Sequence, residues 1–200
     1  STPIILMVIL GVAGMIIPVI NVLRRERGSS TFYGAIAFGA LLLALGFVIF
    51  QFYDDNLAPA AVFSEDVLAD DGFGSFFAIA MLIVSIMTVA GSFNYMRKRS
   101  NPAIYFSLIL LSSIGMVLIA FATDLVMLFV AWELMSIPTY ILAGFNKKNP
   151  SSNEAAIKYF LFGALSSGII IYGISLAYGI TGSTNIGDVI YGFANLSPDM

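Results

Sequence analysis

Glu133 is the residue whose position asks most for a chemical explanation. It stands in Asp124-Leu-Val-Met-Leu-Phe-Val-Ala-Trp-Glu133-Leu-Met-Ser-Ile-Pro138-Thr-Tyr140-Ile-Leu-Ala-Gly-Phe145, an otherwise apolar stretch. A run of ~20 apolar residues is enough to cross a bilayer. Glu133 follows Asp124 by nine residues, which is ~13 Å of helix. In a hydrocarbon core ~30 Å thick that is close to the midplane. An ionisable group there costs about 2.5–3.5 kcal/mol on insertion scales, so it must face protein or water. On a helix, positions i, i+3 and i+7 share a face. From Glu133 these are Ser136 and Tyr140, with Gly144 continuing the line. A carboxylate, a hydroxyl and a phenol in one stripe would order water and relay protons. Pro138 has no N–H to offer the carbonyl of Leu134, which predicts a kink beside the carboxylate. The competing explanation is a packing face with one polar side chain bonded to a neighbouring helix. That suits Ser136 and Tyr140 better than Glu133, because a Gln would make a static bond more cheaply. A carboxyl between desolvation and a movable cation can gain and lose a proton, which is what an intramembrane relay needs.

A second group opens the next helix: Pro150-Ser151-Ser152-Asn153-Glu154-Ala-Ala-Ile-Lys158. Ser151 and Glu154 have capping-box spacing, and Glu154 precedes Lys158 by four residues in the favourable order. Glu154 would then cap the helix. Lys158, ~6 Å further in, would snorkel to the interface. Glu133 and Lys158 differ in depth, so a water-bridged link is easier than a direct salt bridge. Gly163/Ser167 and Ala164/Gly168 place small residues four apart and imply close helix packing. Asp124 has the character of a helix cap. Trp132 and the many Phe side chains would face lipid or core.

These residues sit in a chain of 200 residues that is 59% hydrophobic and 10% charged, with mean hydropathy +0.94. Soluble domains carry ~25% charged residues, so an all-α, polytopic transmembrane bundle is implied, with 1–200 as a single transmembrane domain. The chain has neither Cys nor His. The usual ligands for haem, iron–sulfur clusters and zinc are therefore missing, as are thiol and histidine catalysis. There is no Gly-rich phosphate loop and no nucleic-acid patch. About six spans follow from hydropathy, near 3–22, 31–53, 72–95, 102–122, 124–145 and 153–178, with a polar tail behind them. Asn101-Pro102 has N-cap and first-turn character. Eight of the nine Lys and Arg fall in three loops: Arg24, Arg25 and Arg27; Arg97, Lys98 and Arg99; Lys147 and Lys148. Two spans separate successive loops, so all three share one side. The positive-inside rule makes that side cytoplasmic, in a multi-pass protein of the cell membrane. The N-terminus and an acidic loop (Asp54, Asp55, Glu65, Asp66, Asp70, Asp71) are then outside. The chain opens on Ser1 rather than Met, which implies that its start was removed or lies outside the sequence, and no cleavable signal is evident.

Two stretches carry a resemblance. They are Asp124 to Pro138, quoted above, and Glu154-Ala-Ala-Ile-Lys158-Tyr-Phe-Leu-Phe-Gly-Ala-Leu-Ser-Ser-Gly-Ile-Ile-Ile-Tyr-Gly-Ile-Ser-Leu-Ala-Tyr-Gly-Ile-Thr-Gly. Together they resemble the antiporter-like membrane subunits of respiratory complex I, above all subunit N, and the similar subunit of F420H2 dehydrogenases. The resemblance covers about residues 70–182. It implies a non-redox subunit of a proton-translocating NADH- or F420H2-quinone oxidoreductase. Flavin, iron–sulfur clusters and quinone would then sit in partner subunits, and this chain's partners would be other membrane subunits and the bilayer. Glu133 matches the buried glutamate of the family's fifth helix, which pairs with a lysine on a later, broken helix. Lys158 and Glu154 match more weakly implicated positions. Family members have about fourteen helices, so the chain would be the N-terminal part of a longer subunit. The alternatives are a subunit of a multisubunit cation/proton antiporter or membrane-bound hydrogenase, or a scaffold in which Glu133 is only hydrogen-bonded.

Overall fold

The computed structural model describes residues 2–24, 29–53, 67–97 and 99–195. Arg25, Glu26, Arg27, Asp54, Asp55, Glu65, Asp66 and Lys98 lie outside the described residues. Among the described residues, six helices are long and apolar enough to cross a membrane: α1 (Thr2–Leu23), α2 (Ser30–Tyr53), α3 (Gly72–Met96), α4 (Pro102–Phe121), α5 (Leu125–Ala143) and α6 (Pro150–Thr181). A short α7 (Ile186–Ala194) follows. No strand occurs among the described residues, only two isolated β-bridges. The fold is all-α and transmembrane in character, as the composition implies. Two differences stand out. α6 runs to Thr181 instead of ending near Tyr178, and the supposed polar tail holds α7, capped by Asn185 through the N–H groups of Gly187 and Asp188.

Lipid tails are as apolar as Leu, so burial alone does not join membrane helices; close packing and hydrogen bonds must. α4 is where this happens. It packs against α1, α2, α3 and α5 and buries Ala103, Phe106, Leu110, Ser113, Val117 and Phe121 among others. Gly115 lets α5 close on it: a Cβ there would collide with the backbone of Met135 and Ala131. Gly74 likewise admits the Phe121 ring, and Gly34 admits Phe93 and Phe106. Hydroxyls supply the bonds. Ser113 donates to Ser85 at 2.9 Å, Ser107 to the Gly14 carbonyl at 2.6 Å, and Ser112 to the Met135 carbonyl at 3.0 Å. Tyr33 donates to Asn21 at 2.9 Å.

The end of the bundle away from the basic loops is stitched by carboxylates. Asp70 accepts from the Thr2 N–H at 2.7 Å and from its hydroxyl at 2.5 Å. Asp71 caps α3 through Gly74. Asp124 caps α5, as expected, accepting from Val126 and Met127. It also accepts from the Thr184 hydroxyl at 2.5 Å. The Leu125 N–H reaches Thr184 O at 2.8 Å and the Ile186 N–H reaches Thr123 O at 2.9 Å. The ends of α5 and α6 are thereby held in fixed register. Asn101 occupies the N-cap of α4 with Pro102 at the first helical position, but at φ 60° its side chain makes no cap bond.

Gly115→Ala should destabilise the fold by about 1–3 kcal/mol, since the added methyl meets backbone that cannot turn aside. Gly168→Ala, which meets nothing within 4 Å, should change stability by less than about 0.5 kcal/mol. Unfolding of the detergent-solubilised protein measures both.

Candidate functional site

α6 packs chiefly against α5 among the described residues, with α7 at its far end. The seam between α5 and α6 is built from small and hydroxylated residues. The α6 side presents Ser152, Ala156, Tyr159, Gly163 and Ser167, spaced by four, three, four and four, the spacing of a single helix face. The Ser152 hydroxyl donates to the Ala143 carbonyl at 2.8 Å. Gly144 meets Ala156, where a Cβ on the glycine would collide. The Tyr140 and Tyr159 rings pack edge to face with centroids 4.8 Å apart, and Tyr140 makes a second such contact with Phe160. The Tyr140 hydroxyl lies over Gly163, in space that any larger residue would fill. The Thr139 hydroxyl donates to Ser136 O at 2.7 Å and lies 3.3 Å from the Tyr159 hydroxyl, from which it can accept.

Glu133 lies on this seam. It is half-buried, and its carboxylate accepts a hydrogen bond from the Ser167 hydroxyl. Ser167 is 9% exposed and is the buried residue of α6. From the start of α5 to Glu133 is ~12 Å and from Glu133 to its end ~15 Å, so the carboxylate is near mid-span.

Of the expected stripe, Glu133, Tyr140 and Gly144 meet α6, though not as one hydrogen-bonded chain. The buried Ser136 hydroxyl turns back to the Trp132 carbonyl at 2.8 Å. α5 continues through Pro138 as one element. Trp132 is 42% exposed on the outer side of α5. The small-residue pairs divide: Gly163 and Ser167 line the seam, whereas a Cβ at Gly168 would meet open space.

Lys158 and Glu154 stand apart from the site. They form an ion pair of 2.5 Å with side chains 66% and 65% exposed. Glu154 is not the cap of α6: Asn149 is, accepting from the Ser151 N–H at 3.0 Å. Pro150 at the first helical position decides the start, two residues earlier than the capping-box spacing implies. Lys158 is nine residues from Ser167, ~14 Å along the helix, and lies off the face that meets α5. If Ser167 is at the midplane, Lys158 reaches the edge of a hydrocarbon core of ~30 Å, where snorkelling is natural. The expected water-bridged link to Glu133 is not set up by this arrangement. The residue that sequence reasoning missed is Ser167, which its spacing from Gly163 assigns to packing alone.

No group of three or more His, Cys, Asp or Glu is placed to hold a metal ion among the described residues. A groove of about 540 Å³ lies elsewhere, between α1, Val67–Leu68 and Met127 of α5, and its lining, including Ile4, Met7, Val8 and Gly11, is apolar.

A family profile described as "NADH:quinone oxidoreductase/Mrp antiporter, TM" matches residues 122–197, which span α5, α6 and α7. NADH-quinone oxidoreductase subunit N of Trichlorobacter lovleyi is 38% identical over 185 residues, covering 91% of this chain and 36% of the relative. F(420)H(2) dehydrogenase subunit N of Methanosarcina mazei is 38% identical over 125 residues, covering 62% of this chain and 25% of the relative. Among solved structures, respiratory complex I from Thermus thermophilus with bound aureothin matches with TM-score 0.73 and 29% identity, covering 91% of this chain and 38% of that one. A membrane-bound sulfane sulfur reductase, an archaeal respiratory membrane complex, shares the fold, with TM-score 0.79 at 22% identity over 96% of this chain and 40% of that one. The chain is thus similar to these two subunits N, and it covers only 36% of the first and 25% of the second.

The closeness of Tyr140 to Gly163 is directly testable. Gly163→Ala should destabilise the α5–α6 seam, and Tyr140→Ala should relieve most of that cost. The double variant is then expected to be more stable than the sum of the two singles by about 0.5–3 kcal/mol, the range for residues in contact, in a double-mutant cycle of unfolding midpoints.

Proposed function

We propose that this chain works as part of a proton-translocating membrane subunit of an NADH- or F420H2-quinone oxidoreductase, with Glu133 as the group that carries the proton. The observation that carries the proposal is a carboxylate at mid-span, seated on a hydroxyl-lined helix seam within the matched region. Both named relatives of subunit N type are subunits of oxidoreductase complexes. The chain itself offers no Cys or His to an iron–sulfur cluster, and we assign flavin, clusters and quinone to partner subunits. Its own role is translocation without redox chemistry.

The physics runs from the cost of a buried charge. Hydrocarbon favours the neutral carboxyl, and an approaching cation or a donated hydrogen bond favours the ionised one. A shift of cationic charge elsewhere in the complex then changes the occupancy of Glu133 by one proton. The seam gives that proton a direction. Tyr140, Thr139 and Tyr159 place hydroxyls on the side of Glu133 that faces the basic loops, where ordered water would complete a path. By the positive-inside rule this is the cytoplasmic side. The Glu154–Lys158 pair stays outside that path, as an exposed ion pair that would sit near the cytoplasmic interface. On the other side, Asp124 closes the seam by tying α5 to the segment after α6.

A second assignment, a subunit of a cation/proton antiporter, is favoured by the matching profile, whose description names both classes. Co-purification separates them. Redox partners with flavin and iron–sulfur centres support the first, and cation-transport subunits without them support the second.

Glu133→Gln in the intact complex keeps the hydrogen bond from Ser167 and removes the titrating group. Proton uptake per electron, measured in sealed vesicles, should fall ~10²-fold or more, the scale for removing a positioned acid–base group. Native pumping at native electron transfer would remove the proposed role.

A further inference from the structure

We propose that Ser167 is a positioning residue for the proton-carrying carboxylate, acting through its hydrogen bond to Glu133. The inference rests on the role proposed for Glu133 and adds the residue that fixes where that carboxyl points.

Three observations carry it. First, the hydroxyl points outward from its helix. A serine inside a helix can bond its own i−4 carbonyl, and the neighbouring Ser166 does so, donating to Phe162 O at 2.9 Å. The Ser167 hydroxyl instead reaches across to Glu133. Second, the serine is the buried residue of a helix that is otherwise largely exposed, and it lies at the depth of the carboxylate. Third, the register of α5 and α6 is fixed at both ends. Ser152 bonds the Ala143 carbonyl near the turn, and Asp124 with Leu125 bonds Thr184 at the other end. The meeting of Glu133 and Ser167 is therefore a consequence of the seam and not of one side chain's freedom.

A hydroxyl suits this task in a way a backbone N–H, which can only donate, does not. It has one proton to donate and two lone pairs to accept with. It donates to the carboxylate when Glu133 is ionised. When Glu133 is protonated, the hydroxyl can rotate and accept from the carboxyl O–H, or keep donating to its carbonyl oxygen. The carboxyl stays on the seam in both states. Without the hydroxyl, a half-buried carboxyl with several rotatable bonds would wander toward lipid or α4. No bond other than the hydrogen bond is made or broken, and the proton Glu133 carries remains its own.

The test uses the intact complex in sealed vesicles and compares Ser167→Ala, Ser167→Thr, Ser166→Ala and Glu133→Gln. Ser167→Ala is expected to lower protons translocated per electron ~10-fold, the worth of a hydrogen bond to a charged group, with the complex still assembled. Ser167→Thr, which keeps the hydroxyl, should restore most of the loss. Ser166→Ala should leave pumping native. If Ser167→Ala disrupts assembly, Ser167→Cys is measured in its place. It keeps the size and offers only a weak S–H donor, so a clear loss of pumping supports the proposal and native pumping overturns it. Native pumping in Ser167→Ala beside lost pumping in Glu133→Gln overturns the role of Ser167 and leaves that of Glu133. Loss in Ser167→Thr equal to that in Ser167→Ala also overturns it, because shape rather than the hydroxyl would then matter. Native pumping in Glu133→Gln removes both.

Discussion

A carboxylate cannot sit in hydrocarbon without something to hold it, and this requirement governs how the second half of the chain is arranged. Glu133 is placed mid-span on α5, and the partner it finds is one hydroxyl on α6. For that hydroxyl to arrive, α6 must come close enough for a serine to reach. Gly163, Ala156 and Gly144 keep the seam narrow. The register must also be right to within about one residue, since each residue moves a side chain by 1.5 Å and by a large angle. The turn at Asn149 and the Asp124–Thr184 tie set that register from the two ends.

The first four helices solve a different problem with the same materials. They have almost no charge to hide, and they must still associate in a solvent that does not drive them together. Glycine supplies the closeness, and hydroxyls supply the bonds. Gly115 brings α5 onto α4 beside Met135, and Ser112 bonds the carbonyl of that residue. α5 is thus seated on α4 by one face and reads α6 with another. The half-buried state of Glu133 follows: one side is covered by α6, and α6 itself is largely uncovered on its far face.

Much of this was legible in the sequence because a bilayer fixes helix length. The six spans were visible in hydropathy to within a few residues, and the three basic loops, two spans apart, fall at one end of the helix order. Asp124 was recognisable as a cap because an Asp directly before an apolar helix has few other uses. The start of α6 was less legible: Asn149, Ser151 and Ser152 are all good caps, and only Pro150 distinguishes them. α7 escaped because a nine-residue helix among Gly, Ser and Asn looks like a tail. Ser167 escaped for a better reason. A serine four residues from a glycine is the usual signature of packing, and here it packs as well. The missing signal was depth. Counted from the turn at Lys147–Pro150, Glu133 lies fourteen residues back and Ser167 seventeen residues on, so an antiparallel pair brings them level. Lys158, counted the same way, lies only eight residues on, which already argues against a meeting with Glu133.

The central claim is that a side chain held this firmly in place still changes its charge during turnover. Redox-induced infrared difference spectroscopy of the working complex observes this directly, through the carbonyl stretch of a protonated carboxyl. The account predicts a band that rises and falls with each turnover and is absent when Glu133 is replaced by Gln. A difference spectrum that the replacement leaves unchanged would contradict it, and would reduce Glu133 to a polar contact between two helices.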